Sequence, residues 1–305
     1  MAILNTGAFP KHLDGDINKI YTNTLVAYER EYPAIAQVAN APAGGHYTEA
    51  ELSGLGHLET KHQGQSINFD IPVEGNEKSI TYVSYAKGFQ ITEEGIQDDL
   101  FGNFKKLPES LARSAAIKPD IVFFNTIFNN GFGTTTSWDG DYIFDTDHHK
   151  LYLGTTATGN EPATPSDLTE TSLQEAFEYG WNATDHAGMP VYLDPEIVLV
   201  AVANTWQVNK LWKDSGQIGS ANNDSNTVAP TNGIISWRPF ISRFLTDADA
   251  WFLLFKQRDC RLWWKKQATL ESMDDFYTGN AMWKATERFA AFTMDWQGMW
   301  GNPGA

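Results

Sequence analysis

Hydrophobic and polar positions change rhythm several times along the chain, and each rhythm predicts an element. Ile17, Ile20, Tyr21, Leu25 and Tyr28 recur at helical spacing between Asp16 and Arg30, and Pro33 ends that run. Ala39 to Gly45 then reads as an extended linker. From Gln65 to Gln90 the period falls to two: Ile67, Phe69 and Ile71 alternate with polar residues, and Thr81, Val83 and Tyr85 repeat the pattern. This predicts a hairpin whose turn lies within Glu74-Gly75-Asn76-Glu77, where glycine and asparagine tolerate tight reversals. A two-stranded ribbon is marginal alone in water, so its cover must come from the domain body or from another subunit.

A helix is predicted from Thr92 to about Phe104, and a longer one from Pro108 to Asn130, with Leu111, Ile117, Ile121, Phe124 and Phe128 as its buried stripe. Pro119 interrupts that stripe, and an interior proline costs roughly 3 kcal/mol, so a kink or a division is expected there. Tyr142 to Phe144 reads as a short strand and Pro162 to Asp167 as a linker. Thr171 or Ser172 then caps a helix, with Gln174 or Glu175 closing the box and Leu173, Ala176, Phe177, Gly180 and Trp181 forming its buried face. Glu196 to Val202 has the continuous apolar character of a strand buried on both sides, and Thr205 to Lys213 is a short helix. Gly216 to Gly233 is polar and reads as a flexible loop. The last third is strand-like: Ile234 to Trp237, Trp251 to Lys256, Leu262 to Trp264, and Trp283 to Trp296. Helices and strands mix without regular alternation, so the predicted fold class is α+β.

Composition narrows the function. With 305 residues and 42% hydrophobic content, the chain can bury a core of its own. Its single cysteine, Cys260, permits no internal disulfide. No basic residue precedes the short apolar run at the start, and the longest apolar runs fall well short of the ~20 residues that span a bilayer, so no membrane role is expected. There are 38 acidic against 22 basic side chains, a formal charge of -16, which argues against a surface that neutralises phosphates.

A series of local phrases, in order, resembles the major capsid proteins of tailed bacteriophages, in the group that includes the Mu-like head subunits. They are Gly54-Leu55-Gly56; Gly88-Phe89-Gln90-Ile91-Thr92-Glu93-Glu94 leading to Asp98-Asp99; Leu107-Pro108 with Leu111-Ala112-Arg113-Ser114-Ala115; and Phe144-Asp145-Thr146-Asp147-His148. Further on come Leu168 to Leu173, Phe244 to Phe252, Lys284 to Phe289, and the closing Gly301-Asn302-Pro303-Gly304-Ala305. The resemblance implies the Hong Kong 97-like fold: an N-terminal arm (1–57), an extended hairpin loop (58–90), a peripheral domain with a spine helix (91–167), an axial domain (168–251) and return strands of the peripheral domain (252–305). His149 where the family has proline, Trp296-Gln297 where an arginine is common, and Pro119 depart from the pattern.

By the same resemblance, the chain is a structural subunit of an icosahedral or prolate head. It would assemble with many copies of itself, as hexamers and pentamers, around double-stranded DNA that it does not read. A separate scaffolding protein is expected because the hairpin begins too early for an attached scaffolding segment, and a portal and a decoration protein are further partners. The expected location is the virion, after assembly in the host cytoplasm. Phe69, Glu74, Gly75, Asn76, Glu77, Lys78 and Tyr82 are expected to touch neighbouring subunits, and Gly64 and Gly88 to act as hinges during maturation. A nanocompartment shell of the same fold is the alternative.

Chemistry-bearing clusters are few. Asp145-Thr146-Asp147-His148-His149 has metal-binding residue types, but consecutive ligands point apart and no second histidine or cysteine cluster completes a coordination sphere. No metal, cofactor or catalytic residue is therefore predicted, and a metal-dependent hydrolase is a remote alternative. Lys61, Lys78 and Lys87 lie on the predicted hairpin, where some relatives form lysine-asparagine bonds, but ordinary solvated lysines are expected.

Overall fold

In the computed structural model, strands from distant parts of the chain build two four-stranded sheets, each in its own compact unit, beside two two-stranded pairs, one of which is β5 (His148–Lys150) with β6 (Gly154–Thr158). The structure describes residues 9–92, 103–150, 154–213, 216, 225–232, 235–275 and 280–305. One unit comprises residues 1–47, 80–123 and 261–291, the other residues 48–79, 124–260 and 292–305. Much of the expected helix from Thr92 and of the expected loop from Gly216 lies outside the described residues. No helix among the described residues is long and apolar enough to cross a membrane.

The first unit carries helix α1 (Phe9–Ala27) and a sheet ordered β1 (Gln37–Asn40), β10 (Arg261–Asp274), β11 (Ala281–Phe292), β4 (Val83–Ile91). Strand β1 runs parallel to β10, and β4 antiparallel to β11. Ala281, Trp283, Ala285, Glu287 and Phe289 are all buried, so alternate residues of β11 face inward as the period of two demands. Ile17 and Tyr21 of α1 are buried in the same unit, Ile17 with Ile91, Ala281 and Trp283, and Tyr21 with Leu111, Ala115 and Ala285.

Helix α2 (Lys106–Phe124) continues directly into a π-type turn, Asn125–Asn129. From Leu111 onward its buried positions are Leu111 and Ala112, Ala115 and Ala116, Pro119 and Asp120, Phe123 and Phe124, then Ile127 and Phe128, a strict spacing of four. Such a stripe drifts around an α-helix, and the wider π turn at its end offsets the drift. Leu111, Phe124 and Phe128 are buried as expected, but Ile117 is half-buried and Ile121 is 36% exposed. Ile117 and Ile121 share helical spacing with Phe124 and Phe128, but the small side chains of Ala112, Ala115 and Ala116 bring the neighbouring face into contact instead. Pro119 does not divide the helix. It is buried within it, and the adjacent Asp120 accepts backbone hydrogen bonds from Glu31 (2.9 Å) and Tyr32 (2.8 Å), which pins the segment after α1.

In the second unit the sheet order is β12 (Met299–Asn302), β9 (Trp251–Phe255), β7 (Pro195–Ala201), β8 (Arg238–Ser242). β7 and β9 are central and buried on both faces, which explains their uninterrupted apolar runs. Helices α3 (Glu170–Asn182) and α4 (Thr205–Lys213) supply Leu173, Ala176, Phe177, Val208 and Leu211 to a core with Val198, Val200, Trp251, Leu253 and Phe255. Phe128, Phe132, Phe144 and Phe252 form an aromatic cluster with ring centroids 5.0–6.4 Å apart. Gly180 packs where a Cβ would lie 2.3 Å from the Phe255 ring.

Several expectations shift here. The cap of α3 is Thr169, paired with Ser172 in a capping box, one turn earlier than predicted. Residues 142–144 hold only an isolated bridge, Thr136 to Tyr142, and the strand expected at 234–237 lies at β8 instead. Asn226, Val228 and Ala229, read as loop, are buried, with Trp237 Nε1 donating to the Val228 carbonyl at 2.8 Å. The units also cut the chain differently from the expected segments: β1 belongs to a sheet rather than to a free arm, residues 124–167 group with the second unit, and β9 and β12 stay with it.

Candidate functional site

β2 (His46–Leu52) and β3 (Glu74–Thr81) form a two-stranded ribbon of their own. Beyond the paired strands the two limbs keep an antiparallel course through one backbone bond and two bonds that use side chains. Ser53 N donates to the Val73 carbonyl (3.0 Å), Gly56 N to Asp70 Oδ2 (2.9 Å), and Asn68 Nδ2 to Glu59 Oε2 (3.2 Å). The tip is a β-turn, His62 to Gln65, closed by Gln65 N donating to the His62 carbonyl (3.1 Å). Gly64 holds φ +83° at its third position, which is the type II geometry that favours glycine.

The expected turn at Glu74 to Glu77 is therefore wrong, since those residues are paired strand. Gly75-Asn76 has turn propensity, but β2, whose own alternation is weak, supplies the partner that extends them. Gly64, expected to be a hinge, turns the tip. Gly88 sits inside unbroken β4, where a Cβ would lie 2.6 Å from the Trp283 carbonyl, so close strand approach explains it.

The limbs beyond the paired strands expose apolar residues. Ile67, Phe69 and Ile71 are 65%, 86% and 77% exposed, and Leu55 and Leu58 on the outgoing limb are exposed too. Of the expected contact residues, Phe69, Glu74, Asn76 and Glu77 are exposed and Gly75 and Lys78 half-buried. Tyr82 is 3% exposed, with Lys265 Nζ 5.6 Å from its ring, so its side chain serves its own unit. Lys78 points inward, its Nζ donating to the carbonyls of Thr136 and Thr293, the latter at 2.8 Å, so it is not the solvated lysine that was expected. Lys61 lies exposed on the outgoing limb and Lys87 exposed on β4.

The histidine and aspartate cluster is differently composed from the sequence run. Asp139, Asp141 and His148 converge with donor atoms within 4.8 Å of one another. His148 is fully buried and stacked on Trp296, with centroids 4.1 Å apart and planes at 5°. Its Nδ1 lies 2.7 Å from Asp139 Oδ2 and its Nε2 3.2 Å from Asn160 Oδ1, so both ring nitrogens are committed. Asn160 is held by its own donations to the Ile143 (2.8 Å) and Trp296 (3.3 Å) carbonyls. Hydrogen bonds to Asp139 from His148 and Ser137 outweigh its burial and keep its carboxyl below the usual range. The arrangement is a polar clamp on a loop.

No pattern in the sequence flagged Glu51 and His186, which meet at 3.1 Å between Glu51 Oε1 and His186 Nδ1 with both side chains nearly buried.

The chain is a two-unit α+β protein with an exposed ribbon, and solved structures share its fold. The chain superposes on the capsid protein of the native GTA particle with a TM-score of 0.59 over 92% of each chain at 11% identity. It superposes on that of bacteriophage JBD30, from the capsid decorated with minor capsid protein trimers, with a TM-score of 0.56 at 15% identity over 72% of this chain and 92% of that one. The fold is thus the Hong Kong 97-like fold of phage major capsid proteins. The family model for phage capsid protein matches residues 76–302, most of the chain, and the chain belongs to that family. A segment of 113 residues is 31% identical to the Mu-like prophage FluMu major head subunit of Haemophilus influenzae, covering 37% of this chain and 35% of that relative's length.

Proposed function

We propose that this chain is the repeating subunit of a phage head, and that the ribbon at residues 53–73 is the segment by which one copy grips the next. The observation that carries this reading is the row of exposed apolar side chains, Leu55, Leu58, Ile67, Phe69 and Ile71, on a ribbon its own chain leaves uncovered. Burying each would contribute about 1.5–3 kcal/mol, and many such contacts close a shell that single contacts could not hold. A heterologous grip of this kind closes into rings, consistent with hexamers and pentamers. The formal charge of -16 suits a wall that encloses double-stranded DNA without adhering to it, and a scaffolding protein, a portal and a decoration protein complete the set of partners. The mature location is the virion shell, built in the host cytoplasm. The nanocompartment alternative is not favoured, because the matching family model is that of phage capsid protein.

The test is expression of the full chain beside a variant in which residues 57–69 are replaced by a short turn. Electron microscopy and sedimentation should show shells for the parent and a folded, unassembled subunit for the variant. Normal shells from the variant would end this reading.

A further inference from the structure

The hydrogen bonds around His148 fix how many protons its ring carries, and Asn160 sets the count. Asn160 Nδ2 donates to the Ile143 carbonyl (2.8 Å) and the Trp296 carbonyl (3.3 Å), two groups that can only accept, so its Oδ1 is the atom turned toward His148. That oxygen already accepts from Asp145 N at 3.0 Å and lies 3.2 Å from His148 Nε2, which can bond to it only by donating. At the other end of the ring, Nδ1 lies 2.7 Å from Asp139 Oδ2. Asp139 also accepts from the Ser137 hydroxyl and from Asp141 N (3.2 Å), donors that favour its carboxylate form. Both nitrogens of His148 therefore face acceptors, in a place where the two side chains are nearly closed to water, 0% and 4% exposed.

We infer that His148 is held as an imidazolium, protonated at both ring nitrogens, and that this buried cation fastens Asp139, Asn160 and Trp296 into one clamp that loosens when the second proton is removed. A neutral ring would set one nitrogen lone pair against an oxygen lone pair away from water, and an unmade bond of that kind is costly. The Trp296 indole, nearly parallel to the ring with centroids 4.1 Å apart, offers its π face to the charge. The charged surroundings have the matching sign. Asp139, Asp141, Glu161 and Asp295 face the ring from separate segments, and a positive His148 favours the ionised forms of Asp139, Glu161 and Asp295. His149 turns to Asp141 instead (3.4 Å), and Lys78, seated on the Thr136 and Thr293 carbonyls, is a further cation near Asp139. The two bonds to the ring are complete while it holds both protons, and rising pH, by removing one, turns a bond into a contact between two acceptors.

The clamp lies within one chain, so it is tested on the full chain whether or not shells form, and failure of the shell reading leaves it standing. The protein, isotopically labelled at its histidine ring nitrogens, is observed by solid-state NMR at about pH 7.5, where free histidine is mostly neutral. One ring should carry a proton on each nitrogen. Asp139→Asn should convert that ring to a single-proton tautomer, because an amide can donate to Nδ1 where the carboxylate could only accept. A histidine that merely fills space would keep its proton count. In the parent, amide protection across residues 139–148 should fall by about tenfold or more once higher pH removes the second proton, the scale of one bond to a charged group, while Asp139→Asn shows no such fall. A parent spectrum in which no histidine carries two ring protons overturns the inference and requires no variant to fold. So does an Asp139→Asn ring that keeps both.

Discussion

The two ends of the ribbon reverse the usual rule of burial. Its root seats the buried Glu51 and the half-buried Lys78, while the limbs toward its tip are outside and carry Leu58, Ile67, Phe69 and Ile71. Apolar surface left in water is unfavourable by roughly 25 cal/mol per Å², and buried ionisable groups are unfavourable unless closely matched. A chain that had to be stable alone would have the opposite arrangement. The contrast fits the proposed reading, in which the outer limbs bury their apolar side chains against another copy while polar contacts seat the root on its own unit.

Breaking the outer limbs should have the largest effect. Phe69→Asp combined with Ile71→Asp removes two exposed apolar side chains worth about 1.5–3 kcal/mol each per interface, multiplied over every copy in a shell. Sedimentation and microscopy should show loss of particles, while circular dichroism and the melting temperature of the free subunit stay the same.

Breaking the root should act on the subunit itself. Lys78→Met keeps the length of the side chain but leaves the Thr136 and Thr293 carbonyls without their donor, for a loss of about 1–3 kcal/mol in denaturant titration. A smaller loss, about 1 kcal/mol or less, is expected from Gly64→Ala at the tip, where φ is +83° and no packing is disturbed. Its clearest effect should be slower assembly, followed by light scattering.

A last prediction sharpens the comparison by moving to the other unit. Glu287 is buried in β11 and lifted to about 7, chiefly by burial and against the pull of Arg30 and Lys118. Asp120 is lifted to about 6 by burial, against its two backbone bonds. Both carboxyls stabilise the fold below their ordinary range, and the contribution fades as pH rises through 6 to 7. The first unit should therefore melt earlier at about pH 8 than at about pH 5.5, and Glu287→Gln should flatten that slope without altering exchange at the ribbon's root.

Much of the architecture was legible before any coordinates. Central strands β7 and β9 are continuous apolar runs because both faces are covered, and α4 has the bounds its spacing predicts. The ordered phrases from Gly54 to Ala305 pointed to the capsid family, which the family model and the solved structures then bore out. The alternation of Ile67, Phe69 and Ile71 predicted a strand that the structure does not form there, since the paired strands of the ribbon are β2 and β3. What failed was pairing. Gly75-Asn76 has the local chemistry of a turn, and only hydrogen bonding to a strand some thirty residues earlier makes it extended.

By itself, then, the amino-acid sequence determined the elements whose periodicity reports their burial, the mixed α+β class and the family. Tertiary structure alone decided which limb pairs with which, that alanines rather than Ile117 and Ile121 face inward on α2, and that Glu51 meets His186 and Lys78 meets the Thr136 and Thr293 carbonyls. The reason is physical. Periodicity is a property of neighbours along the chain, whereas burial of a charged group depends on partners brought together from separate segments.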